Sequence, residues 1–599
     1  MLRRVLLPGL AVLLLLAPVV LGVAQAVPPV PPPPGPAPVE EDSDKTAALR
    51  VAFQDGLRPT LDPHMCRDPL SFRMVSLGYE TLYMWVPGPE PRIVPCLAKS
   101  FPTVSEDGLT VTIKIDTAAK FHNSTCFGED RTRNLKASDV VHSLKRLAVF
   151  GDEGMFWMAH GLIEGLDKYG EQARYDMAYE TTDTKVAGLS APDDETVVFK
   201  LTRPYGALVS LLAHPSFSVV PKEAIDTYSG RLRARVVGTG PYRLNAVASE
   251  SLYVFKRWDD YRGDKPGLER ITITARSYWT EFVQDLNEGT IHEMPLWENY
   301  FERVVKDGEL IGEFEGAAAE VVDEPDHGYH YLAFNMSDPV WGALDADGRA
   351  LRRAVSLAYD RVSMLEGSGW PREWNLPQRD LFPHGMEFED QGQNLDYGKA
   401  DVGEAKKVLE GSKYKGGIDP ATGEALRLSF LATDPSGLLP QYRSLYEQFG
   451  RELRSALKSL GMVLEVRYVD VGTYRDDIVE ASEQIFQAGW FLDYPDPVNF
   501  LQLFWGDNAG VHEEFNNTAR YDSPEFNKVY EQLQAMHPTD ENRAKRKELV
   551  GALAQELAKD QPTIPLFHER HTRLRRTDIN WPKMPRQTFN DLRFAGKQE

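Results

Sequence analysis

The chain has 599 residues, 42% of them hydrophobic and 26% charged, which excludes a mostly disordered or collagen-like protein. At ~150 residues per unit, that length predicts about four units rather than one core. Acidic residues outnumber basic ones by 89 to 67, a net charge of −22 that excludes nucleic acid and anionic lipid as main partners.

Residues 1–26 read as an export signal. Arg3 and Arg4 make the positive start, an apolar run follows, and Ala24-Gln25-Ala26 offers small residues for cleavage. The same run also reads as an uncleaved membrane anchor, being nearly long enough to span. Residues 27–46 are proline-rich and then acidic, the composition of an extended, solvated linker. Strands are predicted near residues 49–53, 109–115, 196–201 and 251–255, and Leu61-Asp62-Pro63 reads as a turn. Residues 137–147 place Val140, Val141, Leu144 and Leu147 on one helical face.

The clearest unit comes later. Residues 426–432 alternate as a strand, and Tyr442, Leu445, Phe449, Leu453, Leu457 and Leu460 then recur at helical spacing. Gly461 fits the position just past a helix end, and residues 463–469 alternate again, with Leu464, Val466 and Tyr468 on one face. Strand, helix, strand at this length predicts a βαβ crossover and a parallel pair. No internal repeat appears.

Chemical motifs are scarce. There is no phosphate-binding G-x-x-x-x-G-K-[ST] loop and no G-x-S-x-G nucleophile elbow. His568-Glu569-Arg570-His571 spaces its histidines three apart, where a zinc-protease helix needs four, so it reads as surface polar residues after a strand. Cys66, Cys96 and Cys126 allow at most one internal bridge and lack metal-site spacing. No catalytic residue, metal or cofactor is expected.

Several segments together resemble one family, the extracytoplasmic solute-binding proteins of peptide and nickel ABC importers (family 5). They are Leu97-Ala98-Lys99-Ser100-Phe101, Lys120-Phe121-His122, residues 137–146, Val237-Gly238-Thr239-Gly240-Pro241-Tyr242, residues 331–335 and 352–361, and Ala488-Gly489-Trp490-Phe491-Leu492-Asp493-Tyr494-Pro495-Asp496-Pro497. Their order holds over about residues 47–589. Two stretches depart from the pattern: residues 157–184 are longer and more polar, and residues 123–128 displace the usual sequel to Lys120-Phe121-His122.

The resemblance implies an α/β, two-lobed periplasmic-binding-protein-like type II fold with a hinge and an extra accessory domain. Lobe one would comprise residues 47–75, 185–325 and 565–599, the accessory domain residues 76–184, and lobe two residues 326–563. The implied function is capture of a peptide between the lobes and delivery to the permease and ATPase of an ABC importer. The chain would act outside the cytoplasm and as a monomer. The same fold holding an oligosaccharide or a nickel chelate is the alternative, and an exported hydrolase a remote one.

By the same resemblance Asp493 would receive the peptide ammonium, though it also reads as the start of a turn. Gly489 and Trp490 would line the peptide site, with core packing the other reading for Trp490. Asn335, expected at a lobe crossing, would touch ligand or hydrogen-bond backbone. Asp496, just before Pro497, reads as a helix cap, and Thr239-Gly240-Pro241 as a tight turn.

Overall fold

A computed structural model describes residues 48–88, 92–175, 184–249, 251–325, 328–368, 375–377, 381–383, 385–393, 400–438, 440–509, 516–584 and 588–597. The expected export signal and the whole of the linker lie outside these residues.

Alternating apolar strands assemble into one mixed sheet of twelve strands among the described residues. Its path runs from Val463–Val469 through Arg427–Thr433, Ile485–Phe491 and Gly328–Phe334 to Thr563–Arg576. It continues through Glu293–Pro295, Ala48–Gln54, Arg270–Arg276 and Leu252–Arg257 to Tyr242–Ser249. The fourteen-residue strand Thr563–Arg576 is shared by two lobes. Its first half pairs with Gly328–Phe334, and its second half with Glu293–Pro295 and Ala319–Pro325. The chain crosses between lobes a second time from Ala319–Pro325 to Gly328–Phe334. Two crossing strands and two lobes are the architecture of a hinged binding protein.

The predicted crossover is present. Arg427–Thr433 and Val463–Val469 pair in parallel, joined by the helix Pro440–Ser459. Leu445, Phe449, Leu453 and Leu457 bury one face of that helix against the sheet, and Gly461 takes the left-handed φ of +79° that ends it. Tyr468 departs from its predicted face and stands exposed, on a strand that forms the edge of the sheet.

The accessory sheet orders Thr103–Val104, Thr110–Lys114, Thr196–Lys200 and Leu189–Asp193. Its partner hairpin thus comes from beyond residue 184, a stretch the sequence reading placed in lobe one. The apolar core that these strands share runs on through Leu232 and Val237, whereas Tyr242 packs into the separate lobe-one core with Leu49 and Ile271. Alternation identifies a strand without naming its partner. Thr239-Gly240-Pro241 serves close approach. A Cβ on Gly238 would lie 2.1 Å from the Gly78 carbonyl oxygen, and Gly240 donates its N–H to that same oxygen at 3.0 Å.

His568 corrects another expectation. It sits inside Thr563–Arg576, 2% exposed, with Nδ1 bonded to the Gly328 carbonyl at 3.1 Å. The motif therefore belongs to the interlobe strand and not to a polar surface beyond it. Cys66, Cys96 and Cys126 are all free thiols.

Candidate functional site

The strand Ile485–Phe491 ends in the interlobe cleft, and Asp493 follows it at the carboxyl end, where open α/β sheets present ligand sites. Asp496 then caps the helix Pro497–Leu501, accepting from the Val498 N–H at 2.9 Å, with Pro497 at the first helical position. The cap also has a second role that the sequence did not suggest. Its other oxygen accepts from Arg546 at 2.8 Å, and the two side chains are 3% and 1% exposed. Arg546 donates further to the Met536 carbonyl at 2.7 Å.

That fixed helix holds Asn499, a fully buried amide that organises the site. Its oxygen accepts from the Asp493 N–H and from the Trp490 indole, each at 3.2 Å. Its nitrogen donates to Asp493 Oδ2 at 3.1 Å. Asp493 has no cationic partner among the described residues. Burial raises its carboxyl to about 7, the Asn499 hydrogen bond opposing the rise. A carboxylate so placed is short of one positive charge.

Gly489 lies exposed beside it. In this stretch Ile485–Phe491 keeps its antiparallel partner, Gly328–Phe334, but its parallel partner pairs only at Ile485 and Phe486. The open side is marked by Gln487, whose N–H donates to the Tyr474 hydroxyl (2.9 Å) while its carbonyl accepts from that hydroxyl (2.7 Å). Strand alternation turns the Gly489 N–H and C=O the same way, toward an edge that no described strand occupies.

Across the cleft the accessory segment supplies contacts that sequence reasoning missed. The Trp157 ring stands edge-on to Trp490 at 5.0 Å and 82°. The Tyr205 and Tyr494 hydroxyls meet at 3.0 Å, and the Gly206 N–H donates to the Gln534 carbonyl at 2.6 Å. None of the three pairs carries a sequence signal, because each partner lies hundreds of residues away; the departure at residues 157–184 pointed only to the region of Trp157.

Asn335 is not brought to this site. It follows Gly328–Phe334 and pairs with Gln484, at the opposite end of Ile485–Phe491 and about 25 Å of strand from Asp493. There its amide donates to the Glu483 and Ala481 carbonyls at 3.2 and 3.4 Å and accepts from Ser337. Of its two expected roles, backbone bonding is the one seen, and its position is a strand end rather than a lobe crossing.

The Gly206 contact yields a test of closure. A Cβ there would lie 2.0 Å from the Met536 carbonyl oxygen across the cleft. Gly206→Ala should leave each lobe folded yet hold the lobes apart, so small-angle scattering of the variant should show a larger radius of gyration than wild type. Equal radii would remove Gly206 from the closing surface.

A family description, bacterial extracellular solute-binding proteins, family 5, middle region, matches residues 92–511. The chain belongs to this family. It is 25% identical over 459 residues to the periplasmic oligopeptide-binding protein OppA of Salmonella typhimurium, covering 73% of this chain and 74% of that one. It is 23% identical to the oligopeptide-binding protein OppA of Bacillus subtilis, over 88% of both. The solved structure of HbpA2 from Haemophilus parasuis superposes with a TM-score of 0.70 at 16% identity, over 92% of this chain and all of that one. The two OppA relatives are named for oligopeptide binding, and no helix among the described residues is long and apolar enough to cross a membrane.

Proposed function

We propose that this family 5 chain captures peptides between its lobes outside the cytoplasm and passes them, unaltered, to the permease and ATPase of an ABC importer. The observation that carries the reading is Asp493, a desolvated carboxylate without a cation among the described residues, beside the edge at Gly489 that no described strand occupies. A peptide supplies what both lack. Its α-ammonium would answer Asp493, and its first backbone groups would add a strand along the open edge. Binding through main-chain groups leaves side chains uncontested. The relatives named for oligopeptides support the same ligand class, and a single copy contains every element described.

The raised carboxyl makes capture proton-linked. With a folded value of about 7, Asp493 is mostly protonated at pH 6 and must lose its proton to meet an ammonium. Calorimetry with tri-alanine in buffers of different ionisation heat should therefore detect release of about one proton at pH 6, falling to a small fraction by pH 7.5. N-acetyl-tri-alanine, which has no ammonium, should bind at least tenfold more weakly. Equal binding of the acetylated peptide would overturn the reading.

A further inference from the structure

A second feature of the cleft is a small cavity of about 40 Å³ between the accessory segment and lobe two. Its walls include Trp157, Arg203 and Tyr205 on one side and Gln502, Trp505 and Gln534 on the other. Two links tie it to Asp493: Trp157 packs on Trp490, and Tyr205 bonds Tyr494, the residue next to Asp493.

Among the described residues the cavity is rich in donors and has no acid: none of its described lining residues is aspartate or glutamate. The Arg203 guanidinium lies 5.0 Å over the Trp505 ring and donates one N–H to the Gly161 carbonyl at 3.1 Å. It has no carboxylate partner among the described residues, and its Nε is buried without an acceptor. Trp505 is 5% exposed, and its indole N–H is likewise without an acceptor among the described residues. His160, also in the wall, is turned to Asp167 at 3.4 Å. A buried donor left unmade costs ~1–3 kcal/mol, so two together mark a place for an acceptor. The volume admits only a few water-sized groups, enough for the two oxygens of a carboxylate but not for a whole residue.

We infer that this cavity is a carboxylate subsite, in which Arg203 and the Trp505 indole hold a carboxylate of the ligand whose ammonium meets Asp493. The inference rests on the capture mode proposed above. The carboxylate is either the peptide's own terminus or an acidic side chain, since the guanidinium fork and the indole N–H serve both alike.

Calorimetry with tri-alanine, tri-alanine amide and Ala-Glu-Ala amide separates the sources. At least one carboxylate-bearing peptide should bind tenfold or more tightly than tri-alanine amide: tri-alanine if the terminus is held, Ala-Glu-Ala amide if the side chain is. Arg203→Gln should erase that gap while leaving tri-alanine amide unchanged, and Arg203→Lys should restore part of it. Trp505→Phe, which keeps the ring under Arg203 and deletes the donor, should narrow the gap and serves if Arg203→Gln fails to fold. Three equal affinities in wild type, with N-acetylation still harmful, would refute the subsite and leave capture standing. A gap that survives Arg203→Gln would refute it as well. Tolerance of N-acetylation would instead bring down capture itself.

Discussion

Asp493→Ala should weaken tri-alanine binding by tenfold or more while leaving the ligand-free protein folded. Three features combine at this carboxylate. It is desolvated, it has no cation among the described residues, and Asn499 aims one of its oxygens. A charge-assisted bond between an ammonium and such a group contributes ~1.5–3 kcal/mol, which is about 10- to 150-fold in affinity. Asp493→Asn keeps the shape and discards the charge, so it should lose nearly as much. Tri-alanine affinity unchanged in both variants would dismiss Asp493 as the ammonium acceptor.

The same group sets a slope in the stability of the unliganded protein. Its folded value, about 7, stands above the ordinary aspartate range, so the folded state binds the proton more tightly than the unfolded one. The resulting stabilisation is complete in acid, below the unfolded value of about 3.9, and is lost as pH rises through about 7. Chemical denaturation of wild type and Asp493→Asn across that window should show the wild-type slope flattened in the variant.

Arg546→Ala should be the most damaging single change to stability, at about 3–5 kcal/mol. The substitution strands the Asp496 carboxylate in a site 3% exposed and deprives the Met536 carbonyl of its donor. A double variant, Asp496→Asn with Arg546→Met, should recover much of the loss, because the stranded charge rather than the missing attraction is what costs. Urea unfolding measures both, and a single variant no worse than the double would refute this account. The damage should also reach Asp493, since Asp496 caps the helix that carries Asn499.

Local pattern made some of this legible. The crossover at residues 427–469 was readable because its helix repeats leucine and phenylalanine at three and four and its strands alternate at two. Asp496 was readable as a cap because proline follows it. Asp493, Gly489 and Trp490 were placed by a resemblance, and the structure gathers them at one strand end. Asn335 misled because its motif matches while its position on an antiparallel strand puts it at the far end. What stayed hidden was long-range. Nothing near Tyr205 announces Tyr494, nothing near Trp157 announces Trp490, and the Arg546 partner of Asp496 lies fifty residues on. Such pairs are written in the topology, which only the folded chain displays.

The strand Thr563–Arg576 sits at the centre of the sheet yet is the last of its members to be synthesised. Neither half-sheet can be completed on the ribosome before that segment emerges. Assembly of the whole therefore waits on contacts of very high sequence separation, the condition under which folding is slow. Such a chain stays pliable during its manufacture, and a nonsense truncation ahead of residue 563 would ruin both halves at once rather than release one intact.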